Sequence, residues 1–183
     1  MPSRRALLLW IAAATLPALA APPAMNDARS LPPAQRVFTS PSATFELVLS
    51  SPSQGQTAQA ELFAVAAGAR RPLWRQALPH EQGPRTAVVA DSGEVVLLDE
   101  WINVPSRHAL LLLDPQGRRR AHYNFDELVG ILQLPRKTVA QHAVQGAWLA
   151  GEPRLTTDGR LLLLPAGGRT LSLQLADGRL TAY

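Results

Sequence analysis

Short apolar runs, separated by polar turns that often contain glycine, make up most of this chain after residue 43. Such runs are typical of β-strands, and Asp-Gly, Ser-Gly and Gly-Gly turns permit the positive φ angles of tight hairpins. Strands joined by tight hairpins lie side by side, so the pattern predicts an all-β antiparallel meander of about 10 to 12 short strands. The clearest runs cover 44–49, 59–65, 72–78, 85–90, 94–99, 109–113, 118–123, 160–164, 169–175 and 179–183.

Two of these runs, 94–99 and 109–113, are apolar at successive positions, which indicates strands buried on both faces. One other segment has helical spacing instead. In "NFDELVGILQL" (124–134), Phe125, Leu128 and Leu132 lie on one side of a helix, and Asn124 can cap its first turn. The sequence predicts one short helix near 125–133, ended by Pro135, and leaves 136–143 unassigned.

The strands fall into three units, 44–78, 85–123 and 144–183, with three or four strands in each. Four-stranded antiparallel units of this length are typical of propeller blades. Three units are fewer than a closed propeller uses. The sheets therefore either pack face to face or form blades of a propeller fragment.

The first 42 residues have a different composition. Arg4 and Arg5 precede the apolar stretch 6–16, which is too short to span a bilayer, and "ALA" (18–20) suits signal peptidase. This arrangement predicts a signal peptide over 1–20, cleaved after Ala20, and a periplasmic or secreted protein. The general secretory route is favoured, and "SRRALL" (3–8) leaves the twin-arginine route open. A flexible Pro/Ala-rich lead-in follows over 21–42, with an edge strand at 36–38, and a single β-rich domain covers 43–183.

Charge and composition narrow the choice of partners. Without Arg4 and Arg5, the 18 basic residues become 16 against 14 acidic ones, a net charge near +2. A nucleic-acid partner requires a basic stripe, and the only basic run is 118–120, so nucleic acid is not expected. That run is interpreted as an exposed edge strand, whose charges oppose aggregation. The chain has no cysteine and hence no disulfide, and no later apolar stretch is long enough to span a membrane.

Reactive side chains are concentrated where one predicted strand ends and the next begins. These candidate binding residues are Asp99, Glu100, Trp101, Arg107 and His108. In a structural role, Asp99 would accept backbone N–H groups and order loop 100–108, and Trp101 would close the end of the sheet. In an enzymatic role, Asp99 and Glu100 would be acid and base for a sugar-like ligand stacked on Trp101. Adjacent strand residues point to opposite faces, which works against that pairing.

The sequence lacks the motifs of metal sites, catalytic nucleophiles and phosphate-binding loops. The four histidines, at 80, 108, 122 and 142, lie on separate segments without metal-ligand spacing, so no metal is predicted. The sequence also contains no nucleophile elbow and no phosphate-binding glycine loop, so neither catalytic residues nor a cofactor are assigned.

The stretch 88–128 contains, in order, an Asp-Gly-type turn (91–93), a strand ending in Asp-x-Trp (99–101), a strand ending in Asp-x-x-Gly (114–117) and a short helix introduced by Asp and Leu (126–128). This order resembles that of uncharacterised secreted bacterial proteins built from blade-like β repeats. Their loop often contains glycines where this chain has "INVPSRH" (102–108). The resemblance implies a blade-like fold and export, and it implies no reaction.

The sequence thus favours an exported bacterial protein that acts without catalysis, as an envelope module binding a protein or small ligand of unknown identity. The alternative is a hydrolase or carbohydrate-acting enzyme that uses carboxylates near 99–108.

Overall fold

The computed structural model describes residues 31–51, 57–102 and 105–183. Strands in these ranges form three four-stranded antiparallel sheets, and strands that are neighbours in sequence are neighbours in each sheet. The predicted all-β meander is therefore confirmed. Sheet 1 contains β1 (Gln35–Thr39), β2 (Phe45–Ser50), β3 (Gln59–Ala66) and β4 (Ala69–Ala77). Sheet 2 contains β5 (Pro84–Val89), β6 (Val95–Glu100), β7 (Leu110–Leu113) and β8 (Arg119–Tyr123). Sheet 3 contains β9 (Arg154–Leu155), β10 (Leu161–Ala166), β11 (Arg169–Gln174) and β12 (Leu180–Ala182).

Sheet 2 is the middle layer of the molecule. Every residue of β7 and all of β6 except Glu100 are buried, as the uninterrupted apolar runs predict. One face of these two strands packs on sheet 1, and the other packs on the helices and sheet 3. The first face carries Val95, Leu97, Leu111 and Leu113, and the second carries Val96, Leu98, Leu110 and Leu112. The three units thus pack face to face, and each has the up-and-down topology of a propeller blade.

The predicted helix is present as α1 (Phe125–Leu132). Its first turn is closed by a capping box, because Asn124 Oδ1 accepts from Glu127 N at 2.9 Å and Glu127 Oε2 accepts from Asn124 N at 2.7 Å. Phe125, Leu128 and Leu132 are buried, as the spacing predicts.

The prediction of only one helix is wrong, because α2 (Arg136–His142) follows at once. Gln133, in the left-handed conformation at φ 52°, ends α1 before Pro135 is reached. Pro135 is instead the N-cap of α2, a place where its lack of an N–H group does no harm. Proline therefore separates two helices here and does not close the helical region.

The strand expected at 36–38 is part of β1, which lies at one edge of sheet 1. The predicted signal peptide and residues 21–30 of the lead-in lie outside the described residues. Among the helices that the structure describes, none has the length and apolar character needed to cross a membrane.

Candidate functional site

Asp99 lies at the end of β6, is fully buried, and adopts a left-handed backbone conformation with φ 57°. Its Oδ1 accepts from the backbone N of Glu100 at 3.0 Å, and its Oδ2 accepts from the backbone N of Ala147. Gly146 allows this approach, since a Cβ there would lie 2.0 Å from Asp99 Oδ2. Asp99 therefore fastens the end of sheet 2 to the segment that leads into sheet 3.

This placement corrects part of the structural interpretation. Asp99 does bind backbone N–H groups, but only Glu100 belongs to loop 100–108, and the second donor is 48 residues away in sequence. Burial raises the pKa of Asp99 to about 6, against the opposing effect of its backbone hydrogen bonds and of Arg85. The carboxylate stays bound to the backbone and faces segment 146–147.

Trp101 has a packing role between sheets 1 and 2. Its backbone N donates to Gly83 O at 3.0 Å, and the guanidinium carbons of Arg36 and Arg85 lie 4.9 and 5.0 Å from its ring centroid. Arg36 also donates to the carbonyl oxygens of Pro84 and Arg85 at 2.6 and 2.8 Å. These contacts tie β1 to the start of β5 across the half-buried indole.

The other three candidate residues come together in a surface depression, which we call the loop cleft. It has a volume of about 270 Å³, and its lining includes Glu81, Glu100, Ser106, Arg107 and His108. Asp99 and Trp101 are not part of its lining. The structure therefore separates the five sequence candidates into two that hold the fold and three that share an accessible site.

Glu100 is the most perturbed acid in the loop cleft. Burial, and after it the charge of Asp99, raise its pKa to about 7, and a hydrogen bond with Ser106 partly opposes both effects. Glu81 adds a smaller repulsion of the same sign. Glu100 consequently exchanges a proton near neutral pH, and a carboxylic acid in that state can both donate and accept hydrogen bonds.

The sequence patterns did not identify Glu81 and Ser106 as site residues. The β5–β6 hairpin pairs Pro84 with Glu100, and this register places the residues before Pro84 beside those after Glu100. This register can be read from the sequence, because the turn at 91–93 joins two runs of equal length. Ser106 is fixed by local bonds, since its Oγ accepts from His108 N at 2.7 Å.

Three of the four histidines, which lie on separate segments of the sequence, come together in the structure. Nδ1 of His108 lies 3.0 Å from Nε2 of His122, with ring centroids 5.0 Å apart, and the ring of His80 lies 5.4 Å from that of His108. Their segments meet where the loop before β5, the start of β7 and strand β8 converge. His142 remains apart on α2, with its Nδ1 2.8 Å from Thr138 O.

His80 is the most deeply placed of the three. It is fully buried, and neither ring nitrogen has a hydrogen-bond partner among the described residues. Burial and the neighbouring His108 and His122 lower the pKa of His80 to about 3, with the backbone of His108 opposing the shift. Within the described ranges, no group of three or more His, Asp or Glu side chains is arranged to hold a metal ion.

No protein-family model matches the chain, and no curated protein is similar to it in sequence. Two solved structures have a similar arrangement of strands. A europium-containing methanol dehydrogenase superposes with a TM-score of 0.42 and 10% identity, covering 75% of this chain and 22% of the enzyme. TolB from Acinetobacter baumannii superposes with a TM-score of 0.40 and 14% identity, covering 81% of this chain and 31% of TolB. The chain thus spans less than a third of each, and similarity at this level assigns no activity, ligand or partner.

Proposed function

We propose that this protein is an exported envelope module that binds a partner protein or a small ligand through the loop cleft, without catalysis. The proposal rests on one observation, which is that neighbouring residues at the end of β6 have different roles. Asp99 is committed to backbone hydrogen bonds, whereas Glu100, Arg107 and His108 line one accessible depression. A half-buried acid beside an exposed arginine and a half-buried histidine offers hydrogen-bond donors and acceptors for recognition.

The loop cleft suits contact with a surface better than enclosure of a substrate. Its volume of about 270 Å³ lies below the range of about 300–1,000 Å³ that is usual for pockets enclosing small molecules. Loops carried by a rigid scaffold often supply binding surfaces, and the buried sheet 2 is such a scaffold.

Crosslinking in cells can test this proposal. A photoreactive amino acid at Arg107, inside the loop cleft, should give a discrete adduct in the native host. The same amino acid at Arg154, exposed on β9 of sheet 3, is the matched control and should give none. The adduct should disappear when Glu100→Gln is added, because that variant removes the ionisable acid of the cleft. Identical adducts at both positions, or adducts that survive Glu100→Gln, would contradict binding at this site.

The alternative function is a hydrolase, and one observation favours keeping it. Glu81 and Glu100 line the same cleft and interact electrostatically, and an acid with a pKa of about 7 suits general acid catalysis. The pair would replace the Asp99–Glu100 pair considered from the sequence. Purified protein should be assayed on a panel of nitrophenyl glycosides and esters. Turnover that is lost in both Glu81→Gln and Glu100→Gln would replace the binding proposal with this one.

Export is also a proposal. It is supported by Arg4, Arg5, the apolar stretch 6–16 and the small residues 18–20. Mass spectrometry of protein from the native host should find a mature N-terminus at Ala21. Recovery of the chain with Met1 intact in the cytoplasm would refute it.

A further inference from the structure

A second depression lies between sheets 1 and 2, and we call it the inter-sheet groove. It has a volume of about 480 Å³, within the usual range for small-molecule pockets. Gln76 and Leu78 line it from the end of sheet 1, and Leu111, Leu113, Arg119 and His122 line it from β7 and β8. It shares only Pro79 and His108 with the loop cleft, so the two sites can be tested separately.

The floor of the groove is apolar and its ionisable groups are basic. Leu78, Leu111 and Leu113 are each at most 3% exposed and provide the apolar surface. Arg119, His108 and His122 provide the ionisable groups, and none of the described lining residues is acidic. The groove therefore matches a ligand with an apolar body and a negative charge.

Arg119 differs from the arginines on either side of it. Arg118 Nε lies 2.8 Å from Asp114 Oδ2, and Arg120 Nη1 lies 3.2 Å from Glu94 Oε1 and 2.6 Å from Leu175 O. The side chain of Arg119, in contrast, makes no ion pair and no side-chain hydrogen bond with a residue in the described ranges, although its backbone pairs with Leu113 of β7. Arg119 is thus the arginine of this run that lines the groove with an exposed guanidinium.

A shift in strand register puts Arg119 on the same side as His122. Residues three apart on a regular strand point to opposite faces. In β8, however, Ala121 pairs with Leu112 while Arg119 pairs with Leu113, so Arg120 is an extra residue. Bulges of this kind redirect side chains and are frequent near binding sites. Here the bulge turns Arg119 toward the groove and Arg120 toward sheet 3.

The two histidines of the groove have one ring N–H group that their mutual hydrogen bond does not use. Two neutral imidazoles carry two N–H protons, and one proton lies between His108 Nδ1 and His122 Nε2. The second proton is then on an outer ring nitrogen, whichever ring donates to the other. The guanidinium of Arg119, which lines the same groove as the two histidines, adds further N–H donors.

We propose that the inter-sheet groove binds a small organic acid, with the carboxylate held by Arg119 and the His108–His122 pair and the apolar body lying on Leu78, Leu111 and Leu113. This inference goes beyond the proposed function, because it concerns a different surface and a different class of ligand.

The proposal can be tested by titrating the folded protein with hexanoate while NMR monitors the leucine methyl and histidine ring signals. Hexanoate should shift the signals of Leu111, Leu113 and His122, and hexan-1-ol should bind about tenfold more weakly because it lacks the charge. Arg119→Gln should weaken hexanoate binding by about tenfold or more, the loss expected for one charge-assisted contact.

Arg154→Gln is the matched control, since it removes the same charge from an exposed position on β9 that does not line the groove. Its hexanoate affinity should stay within about twofold of wild type, because its side chain is outside the groove. Equal binding of hexanoate and hexan-1-ol would overturn the proposal, as would the absence of shifts at about 10 mM hexanoate, far above a useful dissociation constant. An equal loss in Arg154→Gln and Arg119→Gln would also overturn it.

Discussion

Gly146→Ala should disrupt the attachment of sheet 2 to the segment before sheet 3. The added Cβ would lie 2.0 Å from Asp99 Oδ2 and 2.8 Å from its Cγ, so the carboxylate has to move away from Ala147 N. Loss of a buried charge-assisted hydrogen bond costs about 1.5–3 kcal/mol. A non-glycine residue at φ +64° adds about 1–2 kcal/mol. The free energy of unfolding should therefore fall by about 2.5–5 kcal/mol.

Gly159→Ala is the matched control, because Gly159 has a similar φ of +67° but nothing within 4 Å of the added Cβ. It should cost only the backbone strain, about 1–2 kcal/mol. The cost of Gly146→Ala should fall to the same value in an Asp99→Gly background, since the group that clashes is then absent. Urea denaturation of the four variants and the wild type gives the coupling energy, expected at about 1.5–3 kcal/mol. Equal costs for the two alanine substitutions, or a coupling energy below about 0.5 kcal/mol, would refute the role given to Asp99.

Three further predictions concern stability and its pH dependence, each measured by urea denaturation. The pKa of Glu100 is raised to about 7, so its charged form destabilises the fold as pH rises from about 4 through 7. Glu100→Gln should raise the free energy of unfolding by about 1 kcal/mol at pH 8, a value reduced for solvent screening, and should have no such effect at pH 4. The pKa of His80 is lowered to about 3, so the stability that its neutral form provides is present above pH 6.5 and is lost as pH falls toward 3. His80→Leu should remove about 2 kcal/mol of the loss between pH 7 and 5, and an unchanged pH profile would contradict the burial of a neutral imidazole. Gly130→Ala, at an exposed helical position with nothing within 4 Å of the new Cβ, should stabilise by about 0.5–1 kcal/mol, whereas a decrease would argue against α1.

The sequence was most informative where the physical signal is local. The runs at 94–99 and 109–113 predicted strands buried on both faces, and they are the centre of the molecule. Asn124, followed three residues later by Glu127, carried a capping signal that the helix uses. Hairpins were predictable for the same reason, because turn residues and strand lengths act over a few positions.

The candidate site was predictable only in part, because it depends on contacts between distant segments. Nothing near Asp99 indicates that its second partner is Ala147, and the glycine that permits the contact is an ordinary loop residue in the sequence. His80, His108 and His122 lie far apart in sequence and meet only where the loop before β5 lies beside the paired strands β7 and β8. The bulge that places Arg119 beside His122 adds one residue to a strand, and a period of two in the side chains cannot reveal it.

The double burial of sheet 2 has a consequence for the order in which the chain can fold. Residues up to 123 suffice to pair sheet 1 with one face of sheet 2, but the partners of the other face lie within 124–183. At about 5–20 residues per second, ribosomes need roughly 3–12 s to make those 60 residues. During that interval Val96, Leu98, Leu110 and Leu112 form an apolar surface without its cover. A nascent chain that folds early is therefore prone to aggregate, and a factor that delays folding until synthesis ends would protect it.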